Sequence, residues 1–474
     1  MPHRHLRSVR TVAEHCTPPP RARCARHGRP VRRHTMDNSV TTVLRGLESI
    51  RSDVEEFYKD LHAHPELGLQ EHRTAGKAAA ALRDLGYEVT EGIGGTGVVG
   101  VLTRDGRKSQ DGTENRDGRE EGRAGPTVLL RADMDALPVR ERTGLPYAST
   151  ATTTDREGHE QPVMHACGHD IHVACMTGFA RLMAQAPEGA WHGTLVVLLQ
   201  PSEEDGAGAR AMIDDGLTDR VPRPDVVLAQ HVLPYPAGQV GTRAGAFLSA
   251  ADSLRITLHG RGGHGSAPQS TVDPVVLAAM CVVRLQTVVS REVGATSPAV
   301  VTVGRIRAGS GPNVIPDQAE LELNVRTYDP AVRRRVLDAV ERIVRAECQA
   351  SDAPQEPEFE QLTRFPPTVN DDEVTATVAR AFADCFGDDA RTFGLQTASE
   401  DLSEIPAAFG VPFTYWGFGG TDPDRYATAE QNGTLDRDIP TNHSPTFAPL
   451  PQPTLDTAIK ALTAATLAWL GDGG

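Results

Sequence analysis

The chain has 474 residues, 39% of them hydrophobic and 23% charged, a globular composition long enough for about two domains. No run reaches the roughly 18 uncharged apolar residues of a membrane helix, so no membrane role is expected. Net charge is −15, and an acidic chain is a poor partner for nucleic acid.

The charge is uneven. Residues 1–35 hold nine Arg and one Glu, about +8 against a chain total of −15, so the remainder carries about −23. This basic head has Pro18, Pro19 and Pro20, no apolar periodicity and no apolar core of a secretory signal. It reads as a disordered tail, upstream of a start at Met36. The seven cysteines, Cys16, Cys24, Cys167, Cys175, Cys281, Cys348 and Cys385, are odd in number and show no disulfide framework. Reduced thiols in a cytoplasmic protein are expected.

Asn38 to Leu85 has a helical pattern interrupted at Pro65. Tyr87 to Thr90 and Val98 to Thr103 read as short strands. Residues 104–125, polar and Gly-rich, read as a solvated hairpin tip or insertion. Thr127 to Ala132, Gly193 to Gln200 and Val226 to Gln230 read as buried strands, with an apolar helix over Ile171 to Ala184. That alternation implies a mostly parallel α/β sheet.

The pattern then changes. Asp252 to His259, Val300 to Arg307, Ala319 to Tyr328 and Glu356 to Leu362 read as strands, with helices over Asp273 to Ser290 and Pro330 to Cys348. The order βαββαβ is that of the ferredoxin-like plait. The expected organisation is a catalytic α/β domain with a mixed sheet over 36–248 and 364–474, interrupted by a satellite plait over 249–363.

Five segments concentrate metal-ligand residue types: Asp133 with Asp135, His165 to His172, Gln200 to Glu204, Gln230 with His231, and Thr441 to Pro445. In a parallel sheet, ligands bind beyond the carboxyl ends of the strands, and Asp133, Glu203 and His231 follow apolar strands closely. Cys, His and Glu together suit zinc or another first-row metal. From an extended segment, Glu203 and Glu204 point opposite ways. One can bind metal while the other serves as general base. Plainer readings stand beside these: a solvated Glu pair, a buried thiol beside a helix cap, Asp133 and Asp135 as caps.

In order along the chain stand HAHPELGLQE (62–71), LLRADMDALPV (129–139), MHACGHDIHVA (164–174), QPSEEDGAGARAMIDDG (200–216), AQHVLP (229–234), GRGGHGSAP (260–268), SGPNVIPD (310–317), ASEDLSEIPAAFGVPFTYWGFGG (398–420) and TNHSPTFAP (441–449). As a set they resemble the M20 metallopeptidase clan, in its aminoacylase, hippurate hydrolase and auxin-conjugate hydrolase subfamily. The resemblance implies two divalent transition metal ions (Zn, Mn, Co or Ni) held by Cys167, His169, Glu204, His231 and His443. It implies Glu203 as the base and Asp133 and Asp135 as groups that orient the ligands. His264 and Asn313, on the satellite, are implied to bind the substrate carboxylate or the oxyanion, within one protomer or across a homodimer formed by the satellites. The implied substrate is a small N-acyl amino acid, cleaved to a carboxylic acid and a free amino acid.

His62 and His64 belong by resemblance to a structural helix, and Cys175 reads as core. His165, Asp170 and His172 fall in the ligand loop without assigned roles. Two positions depart from relatives: Gly265 where Ala is common, expected to loosen that loop, and Asp205 where Gly is common. Three rivals stand: a dipeptidase or carboxypeptidase on the same scaffold, a thiol enzyme using Cys167 with His169, and a non-catalytic metal-binding scaffold.

Overall fold

In the computed structural model, residues 38–104, 125–155 and 158–471 are described. The basic head, the start at Met36 and most of the polar segment 104–125 lie outside the described residues.

An eight-stranded sheet carries the strands in the order Glu88–Ile93, Gly97–Arg104, Gly193–Gln200, Thr127–Asp133, Val226–Pro236, Phe413–Thr421, Val240–Thr242 and Ala390–Thr392. The four central strands run parallel, and the first two join antiparallel, so the sheet is mixed. Helices cover both faces because both faces of the central strands are apolar. In Gly193–Gln200, Leu195, Val197 and Leu199 pack on one side, against Ile171, Phe179 and Leu462 among others. Val196 and Leu198 pack on the other side with Met212, Leu217 and Ile405. The alternation follows from the two-residue period of a strand.

Between Val240–Thr242 and Ala390–Thr392 the chain builds a second sheet, with strands in the order Ala299–Ala308, Gln318–Thr327, Ala250–His259 and Glu358–Phe365. All its pairings are antiparallel. Helices Pro274–Thr287 and Pro330–Ala350 pack on it through Leu277, Cys281, Leu285, Val336, Val340 and Val344. Strand order and helix placement are those of the ferredoxin-like plait, and its last strand reaches Phe365 rather than Leu362. A π-turn extends the first of these helices to Glu292. The stretch Pro274–Glu292, of mean hydropathy 1.4, is long and apolar enough to cross a membrane by length and composition. One of its faces is the plait core just described, and the other exposes Val275, Val276, Met280 and Val283.

His62 lies in the helix Leu47–Ala63, fully buried. Its Nδ1 donates to Asp170 Oδ2 at 2.7 Å and its Nε2 to Glu141 Oε1 at 3.1 Å. Two carboxylates on the two ring nitrogens require an imidazolium. Burial opposes the charge, but Asp170 and Glu141 outweigh it and push the ring up to about 10. His64, by contrast, is exposed and bonds the Asp60 carbonyl. His62→Ala should cost about 3 kcal/mol or more, because it strands two buried carboxylates. A raised pKa stabilises fully below the unfolded value of 6.5 and is lost as pH rises through about 10. Melting temperatures of both proteins from pH 6 to pH 10 check this: the gap should narrow as pH rises. A gap that is constant or widens contradicts the charged triad.

Candidate metal centre

The parallel strands end in register. Asp133 pairs with Gln200, and Arg131 with both Leu198 and Ala229, so the segments that follow open on one edge of the sheet. His231 sits inside its strand rather than after it, because Val226–Pro236 stays paired with Phe413–Thr421 well past Gln230.

The helix His169–Gln185 starts from Gly168, whose φ is 86°. A Cβ there would stand 2.4 Å from Val232 Cγ1, so only glycine lets the loop approach this strand. His169 Nδ1 lies 2.8 Å from the Asp135 carbonyl oxygen. A carbonyl only accepts, so Nδ1 carries the proton and Nε2 keeps its lone pair. That Nε2 is buried and has no hydrogen-bond partner among the described residues. It lies 3.8 Å from Asp133 Oδ2, 4.0 Å from Glu203 Oε2 and 3.9 Å from Glu204 Oε1. His231 repeats the device. Its Nδ1 donates to the Val232 carbonyl at 2.7 Å, leaving Nε2 3.5 Å from Cys167 Sγ.

His443 Nε2 stands 3.2 Å from Glu204 Oε1. Ligand atoms of Cys167, Glu204 and His443 lie within 4.8 Å of one another, as do those of His169, Glu203 and Glu204. Glu204 therefore borders two adjacent clusters. An orphaned buried nitrogen facing three carboxylates, beside a thiol and two further imidazoles, is a donor set that fits transition metal ions.

His172 is no ligand in this geometry. The Val232 N–H donates to its Nε2 at 2.9 Å, and its Nδ1 donates to Asp133 Oδ1, so no lone pair is left. His172 braces Asp133 against the His231 strand. Burial would raise Asp133, but His169, His172 and Arg131 hold it well below the usual carboxylate range. His165 is buried with neither ring nitrogen bonded, and burial pushes it down to about 4. Cys175 is core.

The Glu203–Glu204 pair lies in a turn, not the extended segment expected from sequence: Gly206 N donates to Glu203 O at 2.7 Å. Ser202, at φ 48°, starts it. Two carboxylates anchor its backbone. Glu71 accepts from Ser202 N at 2.8 Å, and Asp135 Oδ2 from Glu204 N at 3.0 Å. Burial and nearby Asp135 push Glu71 up to about 7. Asp205 turns its carboxylate to the Ser202 hydroxyl, 2.8 Å away.

Glu203 faces a buried network that sequence reasoning left unassigned. Arg131 donates to Asp133, Glu400 and Asp401 at 2.6 to 3.4 Å. Tyr415 donates to Glu400, and Gln200 to Asp401. Burial, then Glu400, Glu204 and Asp401, raise Glu203 well above the usual range. Asn442 was also missed, though it adjoins His443. Its amide donates to the carbonyls of Cys167 and Val232 at 3.1 and 3.3 Å, tying the thiol loop to the strand. A cavity of about 490 Å³ opens beside Asp135 and Glu204, lined also by Leu67, Gln70, Leu137 and Asp155.

His264 and Asn313 stand apart on the plait, both exposed. Among the described residues, neither side chain hydrogen-bonds to the cluster. They share one small ribbon: Gly263–His264 pairs with Val314–Ile315, and Gly265 N donates to Asn313 O at 2.8 Å. A Cβ on Gly265 would stand 3.2 Å from that oxygen. Glycine therefore lets the loop close on Asn313, the reverse of the loosening expected.

Residues 129–442 match the family described as Peptidase family M20/M25/M40. The hippurate hydrolase of Campylobacter jejuni is 36% identical over 74% of this chain and 85% of its own length. Thermostable carboxypeptidase 1 of Saccharolobus solfataricus is 35% identical over 70% of this chain and 80% of its own. Among solved structures, the Bacillus subtilis YXEP protein, described as a dinuclear metal binding peptidase from M20 family, superposes with a TM-score of 0.67. It is 26% identical, over 89% of this chain and 98% of that one. A buried donor set at the strand ends, a plait inserted into the sheet and these likenesses agree, and the chain belongs to the M20 peptidase family.

Proposed function

We propose that the chain is a metal-dependent amidohydrolase that cleaves N-acyl amino acids to a carboxylic acid and a free amino acid. The observation that carries this reading is the buried, unpaired Nε2 of His169 facing Asp133, Glu203 and Glu204. A non-catalytic scaffold has no use for Glu203, a buried carboxylate beside the donor set that is not itself one of the five ligands. Cys167, His169, Glu204, His231 and His443 would hold two divalent transition metal ions, zinc or manganese among the candidates. When bound, these ions would polarise the acyl carbonyl and lower the proton affinity of a water.

The chain's own residues do the rest. Glu203 takes the proton of the attacking water and returns it to the leaving nitrogen. Asp135 and the Val232 carbonyl keep His169 and His231 in the tautomer that offers Nε2. His264 donates to the developing oxyanion and Asn313 to the substrate carboxylate. Hippurate is an N-acyl amino acid, and a carboxypeptidase cuts the amide before a terminal amino acid. The two relatives' names thus share the amine side of the bond and differ on the acyl side. Cys167 must stay reduced to serve as a ligand, which fits the cytoplasm.

Glu203→Gln leaves the ligands intact, so hydrolysis of N-acyl amino acids should fall at least about a hundredfold while metal content stays. Cys167→Ser should lose metal together with activity, since a hydroxyl is a far poorer ligand than a thiolate. Full activity in the first variant removes Glu203 from the mechanism. Stoichiometric metal with no turnover in the second favours a thiol nucleophile.

The same reading includes a homodimer formed by the plaits. Val275, Val276, Met280 and Val283 expose an apolar face on the first plait helix, with Val283 66% exposed, and Ile306, opposite Leu321 on the helix-bearing side of the sheet, is exposed on the edge strand. An exposed apolar surface of this extent marks an interaction site, and a twofold contact would make it self-complementary. It also bears on His264, which is exposed on the plait and makes no hydrogen bond to the cluster among the described residues. Mixing His264→Ala with Glu203→Gln protomers under exchange should restore activity if His264 serves the partner's site, because each hybrid then holds one intact site. No recovery despite proven exchange assigns His264 to its own chain.

A further inference from the structure

We propose that Ser266 is the residue that positions His264, by setting which ring nitrogen carries the proton. The proposal rests on the reading of His264 as an oxyanion donor. Ser266 N lies 3.1 Å from His264 Nδ1, and Ser266 Oγ lies 2.7 Å from the same atom. A backbone N–H can only donate, so Nδ1 must present its lone pair. The proton of the neutral ring is therefore on Nε2, which is left as a donor. An oxyanion needs a donor. The opposite tautomer would turn a lone pair toward the developing negative charge.

The surroundings leave this task to Ser266. The backbone at His264 is pinned by pairing with Val314, by Ala267 N on His264 O at 2.9 Å, and by Gly265 N on Asn313 O. These contacts fix the Cα but not the ring. Among the described residues, both hydrogen bonds to the ring come from Ser266. The backbone N–H selects the tautomer, and the hydroxyl holds the ring plane. Ser266 thus gives His264 the same service that the Asp135 and Val232 carbonyls give the ligand imidazoles, with the sign reversed: those accept at Nδ1 and free Nε2 as a lone pair, whereas Ser266 donates at Nδ1 and frees Nε2 as a donor.

The test uses the metal-loaded full chain. Nitrogen NMR of the histidine-labelled protein, with the His264 signals assigned by their loss in His264→Ala, should show the proton on Nε2. Ser266→Ala should lower kcat roughly three- to tenfold, the worth of one neutral hydrogen bond, with KM within about twofold. Ser266→Thr should restore kcat by returning the hydroxyl. In a His264→Ala background, Ser266→Ala should cost nothing further. A proton on Nδ1 in the parent protein, or an equal loss in both backgrounds, overturns the proposal. Full activity in His264→Ala alone would instead sink the oxyanion reading, while the NMR result still decides the tautomer.

Discussion

The centre depends on one constraint: a buried polar atom must have a partner. His169 meets it at Nδ1 through the Asp135 carbonyl and leaves it unmet at Nε2. The imbalance persists because the rest of the fold holds it in place. Gly168 lets the helix start against Val232, the strand Thr127–Asp133 delivers Asp133, and Glu71 and Asp135 anchor the turn that carries Glu203 and Glu204. Such a nitrogen among carboxylates costs stability unless something binds there. A bound metal ion would give that nitrogen its missing partner and offset the carboxylates beside it.

Charge balance is the second layer. Glu203 shares its surroundings with Glu204, Glu400 and Asp401, a concentration of negative charge that a proton or a cation must offset. Arg131 is that cation for Asp133, Glu400 and Asp401, leaving Glu203 and Glu204 on the open side. The chain therefore separates carboxylates neutralised by protein from carboxylates left to a ligand. His62 performs the same neutralisation for Asp170 and Glu141 on the far side of the ligand helix.

Much of this was legible in the sequence, for reasons that differ by element. The strand Gly193–Gln200 is an apolar run from Leu195 to Leu199 bounded by Gly193 and Pro201, so composition and length identify it. The plait was legible from the order of its alternating strands and amphipathic helices. The candidate donors were legible because Cys167 and His169, or Glu203 and Glu204, are concentrated in short motifs, and the fold groups their donor atoms. Arg131, Glu400 and Asp401 were not, because their partnership spans about 270 residues and no local pattern encodes it. His172 had no role that the sequence could assign, and the Val232 N–H on its Nε2 shows it to be a brace. The turn at Glu203 was hidden because Ser202 is not a residue that announces a left-handed conformation.

The central claim is that Cys167, His169, Glu204, His231 and His443 hold two metal ions. The most direct measurement is anomalous diffraction at the metal absorption edge from crystals of the metal-loaded protein. The account predicts two peaks within coordination distance of these five residues, with Cys167 sulfur bonded to at least one of them. A single peak, or peaks that leave Cys167 and His169 Nε2 uncoordinated, would contradict it.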